Sequence, residues 1–300
     1  MKKKTYLFAL MAMALTLGSC SDNENGIGGE TSKYITVSTS IGNMTRVATD
    51  EKGGQTFEEG DEISVYAWTG DATVAPETRE RVVNNAINKL TNGSWVSTPQ
   101  MLWKNNRDKH YFIGVYPTAA ISDLSAGEYT FDVNKQTESD LLVAVNKDGL
   151  SYNVDEQQTV PLTFTHVMAK LAVNLTYKNQ WGGIPTVEKV VVGNAAKKAT
   201  VNYLTKVVTP STTAKEDFSL PEITENTKYV SVIIPQEDVK QLTIVIGGKN
   251  FVYDNGTPFK LESGKITTVN LEVGRNEIKL GDVKITDWEN GSTFSGEALN

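Results

Sequence analysis

A single cysteine, Cys20, occurs among 300 residues, so no disulfide can form within the chain and stability must come from packing. Only two histidines are present, His110 and His166, and no second cysteine stands ready to join either one. Metal-ligand spacing is therefore missing. The chain also lacks a Gly-x-Ser-x-Gly elbow, a His-Glu-x-x-His helix and a phosphate-cradling glycine loop. Glu58-Glu59-Gly60-Asp61-Glu62 does not place oxygens at the alternate positions of a calcium loop and reads as a solvated acidic turn. Asp and Glu outnumber Lys and Arg by 36 to 29, a net charge of −7. Such a surface repels phosphate backbones, which excludes nucleic acid as a partner. Beyond residues 6–17, no apolar run approaches the ~20 residues that a bilayer span requires. We expect no catalytic residues, no metal and no cofactor. Paired glycosidase carboxylates are the one enzymatic device that leaves no spacing signature, because they meet only in space.

The N-terminus is the most informative segment. Lys2, Lys3 and Lys4 precede the apolar residues 6–17, and Leu17-Gly18-Ser19-Cys20 follows. A charged start, a short apolar stretch and small residues before a break make residues 1–20 a secretory signal. Leucine at −3, small residues at −2 and −1, and cysteine at +1 resemble the lipobox of bacterial lipoproteins. There the thiol receives a diacylglyceryl group, so Cys20 is the expected lipidation site and mature N-terminus. An export signal with an incidental cysteine is the alternative. Residues 21–33 are polar, acidic and glycine-rich, with too little apolar surface to order themselves, and read as a flexible tether. Ser21-Asp22-Asn23-Glu24 also resembles the signal that sends Bacteroidetes lipoproteins to the outside of the outer membrane.

From residue 34 onward the chain reads as β-structure. Val, Ile, Thr, Tyr and Phe recur in short alternating runs separated by turn residues. Runs at 34–38, 63–68, 111–116, 141–145, 189–192, 230–234, 242–246 and 267–273 are expected strands. In the last of these, Val269, Leu271 and Val273 face one way, and Asn270 and Glu272 the other. That alternation suits a sheet with one packed face and one wet face. Asn92-Gly93, Asp148-Gly149 and Asp254-Asn255-Gly256 are expected tight turns. Val82, Val83, Ala86, Ile87 and Leu90 instead fall on a helical face, although residues 87–96 could equally form a hairpin about Asn92-Gly93.

The polar residues 153–159 mark a boundary between a first domain at about 34–158 and a second at about 159–300. In the apolar stretch from Leu162 to Leu175 the bulky residues change parity after Phe164, which implies a bulge or burial on both faces. His166 lies within that stretch and reads as a core histidine bonded to neighbouring backbone. His110 reads as the polar approach to a strand. Trp68, Trp95, Trp103, Trp181 and Trp288 each stand at a strand end or beside a turn, where indoles close a sandwich core. A sugar-stacking platform is their other common use.

Several short motifs occur in an order that resembles the fimbrillins of Bacteroidetes, the Mfa-like and FimA-like fimbrial subunits. They are Met44-Thr45-Arg46-Val47-Ala48, Phe57-Glu58-Glu59-Gly60-Asp61-Glu62-Ile63-Ser64-Val65-Tyr66, Trp103, and Tyr111-Phe112-Ile113-Gly114-Val115-Tyr116-Pro117. Asp140-Leu141-Leu142-Val143-Ala144 and Phe164-Thr165-His166-Val167-Met168-Ala169-Lys170-Leu171 follow. Ile234-Pro235-Gln236, Leu261-Glu262-Ser263-Gly264-Lys265 and Val283-Lys284-Ile285-Thr286-Asp287-Trp288 complete the order.

The resemblance implies an all-β chain of two tandem transthyretin-like antiparallel β-sandwich domains, without enzymatic activity. It favours strands over a helix at 84–96. It further implies a cell-surface fimbria (pilus) at the outer membrane, with other fimbrial subunits as partners and a host or bacterial surface ligand as the adhesion target. In pilus-forming relatives a trypsin-like protease cuts the lipidated precursor after an arginine near the first strand, and Arg46, followed by Val47, matches that position. Loss of the strand carrying Ile35, Val37 and Thr39 would leave a groove that a neighbour's strand could fill. Each buried aliphatic side chain contributes about 1.5–3 kcal/mol to whichever strand occupies it. The expected donor residues are Ile278, Leu280, Val283 and Ile285, ahead of the polar tail at 291–300. A lipid-anchored glycan- or host-ligand-binding protein that does not polymerise is the alternative.

Overall fold

Each of the eight alternating runs becomes a strand. The computed structural model describes residues 33–42, 56–153, 158–254 and 256–288; Cys20, Arg46 and Val47 lie outside them. In chain order come β1 (Thr36–Ile41), β2 (Glu62–Thr69), β3 (Arg81–Thr91), β4 (Ser94–Thr98) and β5 (His110–Tyr116). Next are β6 (Gly127–Thr130), β7 (Leu142–Leu150), β8 (Thr159–His166), β9 (Ala169–Tyr177) and β10 (Lys189–Ala196). Then follow β11 (Lys198–Asn202), β12 (Val207–Pro210), β13 (Lys215–Ser219), β14 (Glu222–Thr224) and β15 (Lys228–Ile233). The last are β16 (Gln241–Ile246), β17 (Lys249–Asp254), β18 (Lys265–Val273) and β19 (Ile278–Asp287).

The strands form a seven-stranded sheet ordered β1-β8-β7-β5-β2-β3-β4 and a five-stranded sheet ordered β14-β15-β9-β18-β19. Two smaller sheets run β13-β10-β16-β17 and β12-β11-β6. Antiparallel pairing, expected throughout, has two exceptions: β1 lies parallel to β8, and β18 parallel to β9. Both exceptions join strands distant in sequence, where no tight hairpin dictates direction.

β2 and β5, at the centre of the large sheet, are buried on both faces. Ile63, Val65, Ala67 and Phe112 face one core together with Ile35, Val37, Leu162 and Phe164. Tyr66, Trp68, Ile113 and Val115 face a second core, built largely from β9, β10, β15, β16 and β18. That second core draws on both halves of the chain, and β6 pairs with β11 across the same division. β8 belongs to the seven-stranded sheet, so the chain passes between the large sheets at Val167-Met168, later than the polar stretch at 153–159.

Three local expectations are corrected. The helical spacing at 82–90 belongs to a strand, as the resemblance favoured. β3 carries a bulge with Asn85 at φ 58°, and the ladder to β2 shifts between the Val65 and Ala67 pairings. Inward residues therefore run Arg81, Val83, Ala86, Asn88, and one three-residue step imitates a helical turn. Asp148-Gly149 is likewise a bulge within β7 and not a turn. Gly149 (φ 69°) lies so close to Tyr111 that a Cβ would come within 2.7 Å of the ring. The parity change after Phe164 marks two strands in different sheets. Asn92 and Gly93 do form the β3–β4 turn, both with positive φ.

The large sheet curls until its edges meet. Ile35 N–H donates to the Met101 carbonyl at 2.9 Å, and Trp103 N–H donates to the Lys33 carbonyl at 3.2 Å. Farther along, the Trp95 indole N–H donates to Thr39 Oγ1 at 3.0 Å. The core enclosed in this way needs Gly114: a Cβ there would sit 2.7 Å from Phe164 Cζ.

Candidate functional site: two edge strands

β1 and β19 are both edge strands, and their side chains are housed very differently. β1 pairs with β8 from Thr36↔Thr159 to Ile41↔Phe164, and Gly42 N–H extends the ladder to the Phe164 carbonyl at 2.8 Å. Ile35 is 2% exposed and Val37 6%, against Met101, Trp103, Val160, Leu162 and Phe164 of the same core. Thr39 is half-buried and held by Trp95. Phe57 closes the far end, edge-on to Trp95 and Phe164 with ring centroids 5.3 and 5.1 Å apart. The expected groove-filling residues Ile35, Val37 and Thr39 are thus brought together. The residues lining their slot were not foreseen, although Leu162 and Phe164 share one parity on β8.

β19 continues the five-stranded sheet beyond β18, with a bulge at Gly281 opposite the Asn270–Leu271 step. Ile278 and Leu280 are half-buried against the second core, while Val283 and Ile285 are 37% and 40% exposed. Val283 pairs with Val269, so it points toward the core face without being covered there. This strand leaves more apolar surface unburied at home than β1, where Ile41 is half-buried and Val37 fully so. The structure places the two groups in different sheets.

A cluster that the sequence did not reveal gathers where the two large sheets join. His166 Nδ1 lies 2.8 Å from Asp140 Oδ1, and its ring stacks on Trp288 at 4.0 Å with 7° between planes. Lys170 Nζ stands 3.9 Å from the indole centroid. His166 was expected to bond backbone; the carboxylate takes that role because Asp140 stands two residues before β7, whose Leu142 pairs with His166 on β8. His110 is also more than an approach to a strand. Fully buried, it accepts from Lys104 N–H at Nε2 (3.0 Å), while Nδ1 lies 3.1 Å from the Asp108 carbonyl. Among the described residues, no three metal-ligating side chains converge.

Burial pushes the Lys170 ammonium down to about 8, with Asp140 pulling it partly back. In the unfolded chain this lysine titrates near 10.4. Above pH 8 the unfolded state therefore holds the extra proton, and stability should rise with pH. Urea denaturation between pH 8 and 9, where unfolded tyrosines are still largely protonated, should show a gain of about 1 kcal/mol. Lys170→Met should remove most of it, leaving the smaller rise due to Lys206, which burial also pushes down.

A profile of the fimbrillin-like family matches residues 45–288, most of the chain. The chain belongs to the Mfa-like fimbrillins. This fimbrillin is 25% identical to the proposed fimbrium subunit Fim1C of Bacteroides uniformis, over 99% of its own length and all of the relative. Its fold is similar to that of a proposed cell adhesion protein from Bacteroides uniformis (TM-score 0.62, 18% identity, 85% and 98% of the two chains covered). A counterpart from Bacteroides ovatus aligns with a TM-score of 0.61 at 18% identity, over 85% of this chain and 98% of that one. The family is a structural adhesion family of the Bacteroidetes cell surface, and not an enzymatic one.

Proposed function

We propose that this fimbrillin is a structural or accessory subunit of a surface fimbria that supports adhesion and assembles by β-strand exchange. The precursor is held in the outer membrane through a lipid on Cys20 and is trimmed between Arg46 and Val47. β1 then keeps only its non-covalent contacts, and β19 of another subunit takes its place. The two halves act as tandem transthyretin-like domains, the first ending with β8.

One observation carries this reading. β1 is an edge strand whose Val37, with Ile35 just ahead of it, is buried, and residues 43–55, which contain Arg46, are its only covalent link to the strands that follow. Such a strand is detachable by one cut, and the slot it leaves is apolar and flanked by unpaired backbone. The family match starting at residue 45, with β1 outside it, supports the same division. The partly uncovered apolar face of β19 supports its role as donor.

Limited trypsin digestion tests the proposal, with mass spectrometry to locate the cut and light scattering to follow size. A discrete cut between Arg46 and Val47 followed by a ladder of oligomers is expected. Val47-initiated protein that remains a stable monomer overturns strand exchange.

A further inference from the structure

β19 is exposed or half-exposed along its whole length, and only the residue that follows it, Trp288, is well buried, at 7% exposure. Three neighbours hold that residue, two of them through its indole. The His166 ring lies against it, the Lys170 ammonium sits over it, and its backbone N–H donates to the Gly264 carbonyl at 2.9 Å. The receiving turn is itself tied down. Gly264 N–H donates to the Met168 carbonyl and Ser263 Oγ to the Val167 carbonyl, at 2.8 and 2.9 Å. The indole thus fixes the end of β19 to the point where the seven-stranded and five-stranded sheets meet.

The same pocket contains groups that gain when the indole leaves. His166 Nε2 is buried with no hydrogen-bond partner, and Lys170 is 5% exposed. Water reaching either one recovers hydration lost on closing. Burial and stacking of the indole hold the strand, while two buried polar groups oppose them.

We propose that Trp288 is a releasable latch: it keeps β19 on its own subunit, and the desolvated His166 and Lys170 beneath it set how readily the strand lifts. The proposal rests on β19 as the donated strand and names what controls its release. Closed, the subunit keeps its donor strand paired to β18; open, it frees the strand carrying Val283 and Ile285 for a partner.

Hydrogen–deuterium exchange of the full chain tests the latch without requiring assembly. In Trp288→Ala, amides of β19 and of the β18 edge bonded to it should exchange at least tenfold faster, with β2 and β5 unchanged. Lys170→Met should slow the same amides several-fold, and it decides the matter if Trp288→Ala does not fold. Uniform acceleration through all sheets in Trp288→Ala makes the indole an ordinary core residue and overturns the latch. So does unchanged or faster β19 exchange in Lys170→Met. A working latch in protein that never oligomerises after trimming would sink strand exchange alone. Assembly with no localised β19 opening would sink the latch alone.

Discussion

Val37→Asp is expected to open the β1 seam in the uncleaved chain while the remaining strands stay folded. Val37 is 6% exposed, near the start of a strand whose inner face meets Met101, Trp103, Leu162 and Phe164. No cation is among those neighbours, and a carboxylate placed there costs several kcal/mol unless the strand withdraws. Withdrawal is the cheaper response, because β1 is an edge strand and owes its place to one ladder and a few seam bonds. Exchange protection of the β8 amides should fall a hundredfold or more, and an environment-sensitive apolar dye should bind the opened slot. Thr36→Asp is the matched control. Thr36 is half-exposed beside Thr159, and a charge at such a surface position should change stability by no more than about 0.5 kcal/mol. A peptide spanning residues 276–288 should bind the opened Val37→Asp protein and not the wild type. Global unfolding of Val37→Asp would mean that the slot cannot exist empty, and strand replacement would then need a concerted route.

How much of this arrangement could be read from residues alone depends on the range of the interaction. Period-two alternation is local, and it located the strands that became β2, β5, β15, β16 and β18 within a residue or two. It failed where a bulge inserts a residue. Asn85 turned a strand's spacing into an apparent helical face, and Gly149 turned a strand interior into an apparent turn. Both errors arise because a glycine or asparagine at positive φ serves bulges and turns equally well. Nor does parity reveal which sheet a strand joins, so β8 and β9 read as one interrupted strand. The two edge strands were legible as apolar segments near the termini. Their unequal burial was not, since exposure at an edge depends on neighbours far away in sequence. The Trp288 pocket draws Asp140, the neighbouring His166 and Lys170, and Trp288 from three separate places in the chain. No local pattern joins them.

Val283→Asp combined with Ile285→Asp is expected to leave the monomer nearly as stable as the wild type and to reduce assembly of trimmed protein at least a thousandfold. In their own subunit these side chains are 37% and 40% exposed, so each carboxylate keeps contact with water and costs under about 1 kcal/mol. Seated where Ile35 and Val37 are 2% and 6% exposed, the same carboxylates would be desolvated against Leu162 and Phe164. At 1.4 kcal/mol per tenfold, a thousandfold loss needs about 4 kcal/mol, within reach of two buried charges. The bulge at Gly281 sharpens the test, because it gives Ile278 and Leu280 the opposite parity to Val283 and Ile285. A flat donated strand can direct only one of these pairs into the slot. Val283 and Ile285 have the most burial to gain and are the expected pair. Sedimentation of trimmed protein should show Val283→Asp/Ile285→Asp remaining monomeric, with its urea midpoint scarcely moved. If that variant assembles normally and Ile278→Asp/Leu280→Asp does not, the register is reversed and the N-terminal half of β19 enters the slot.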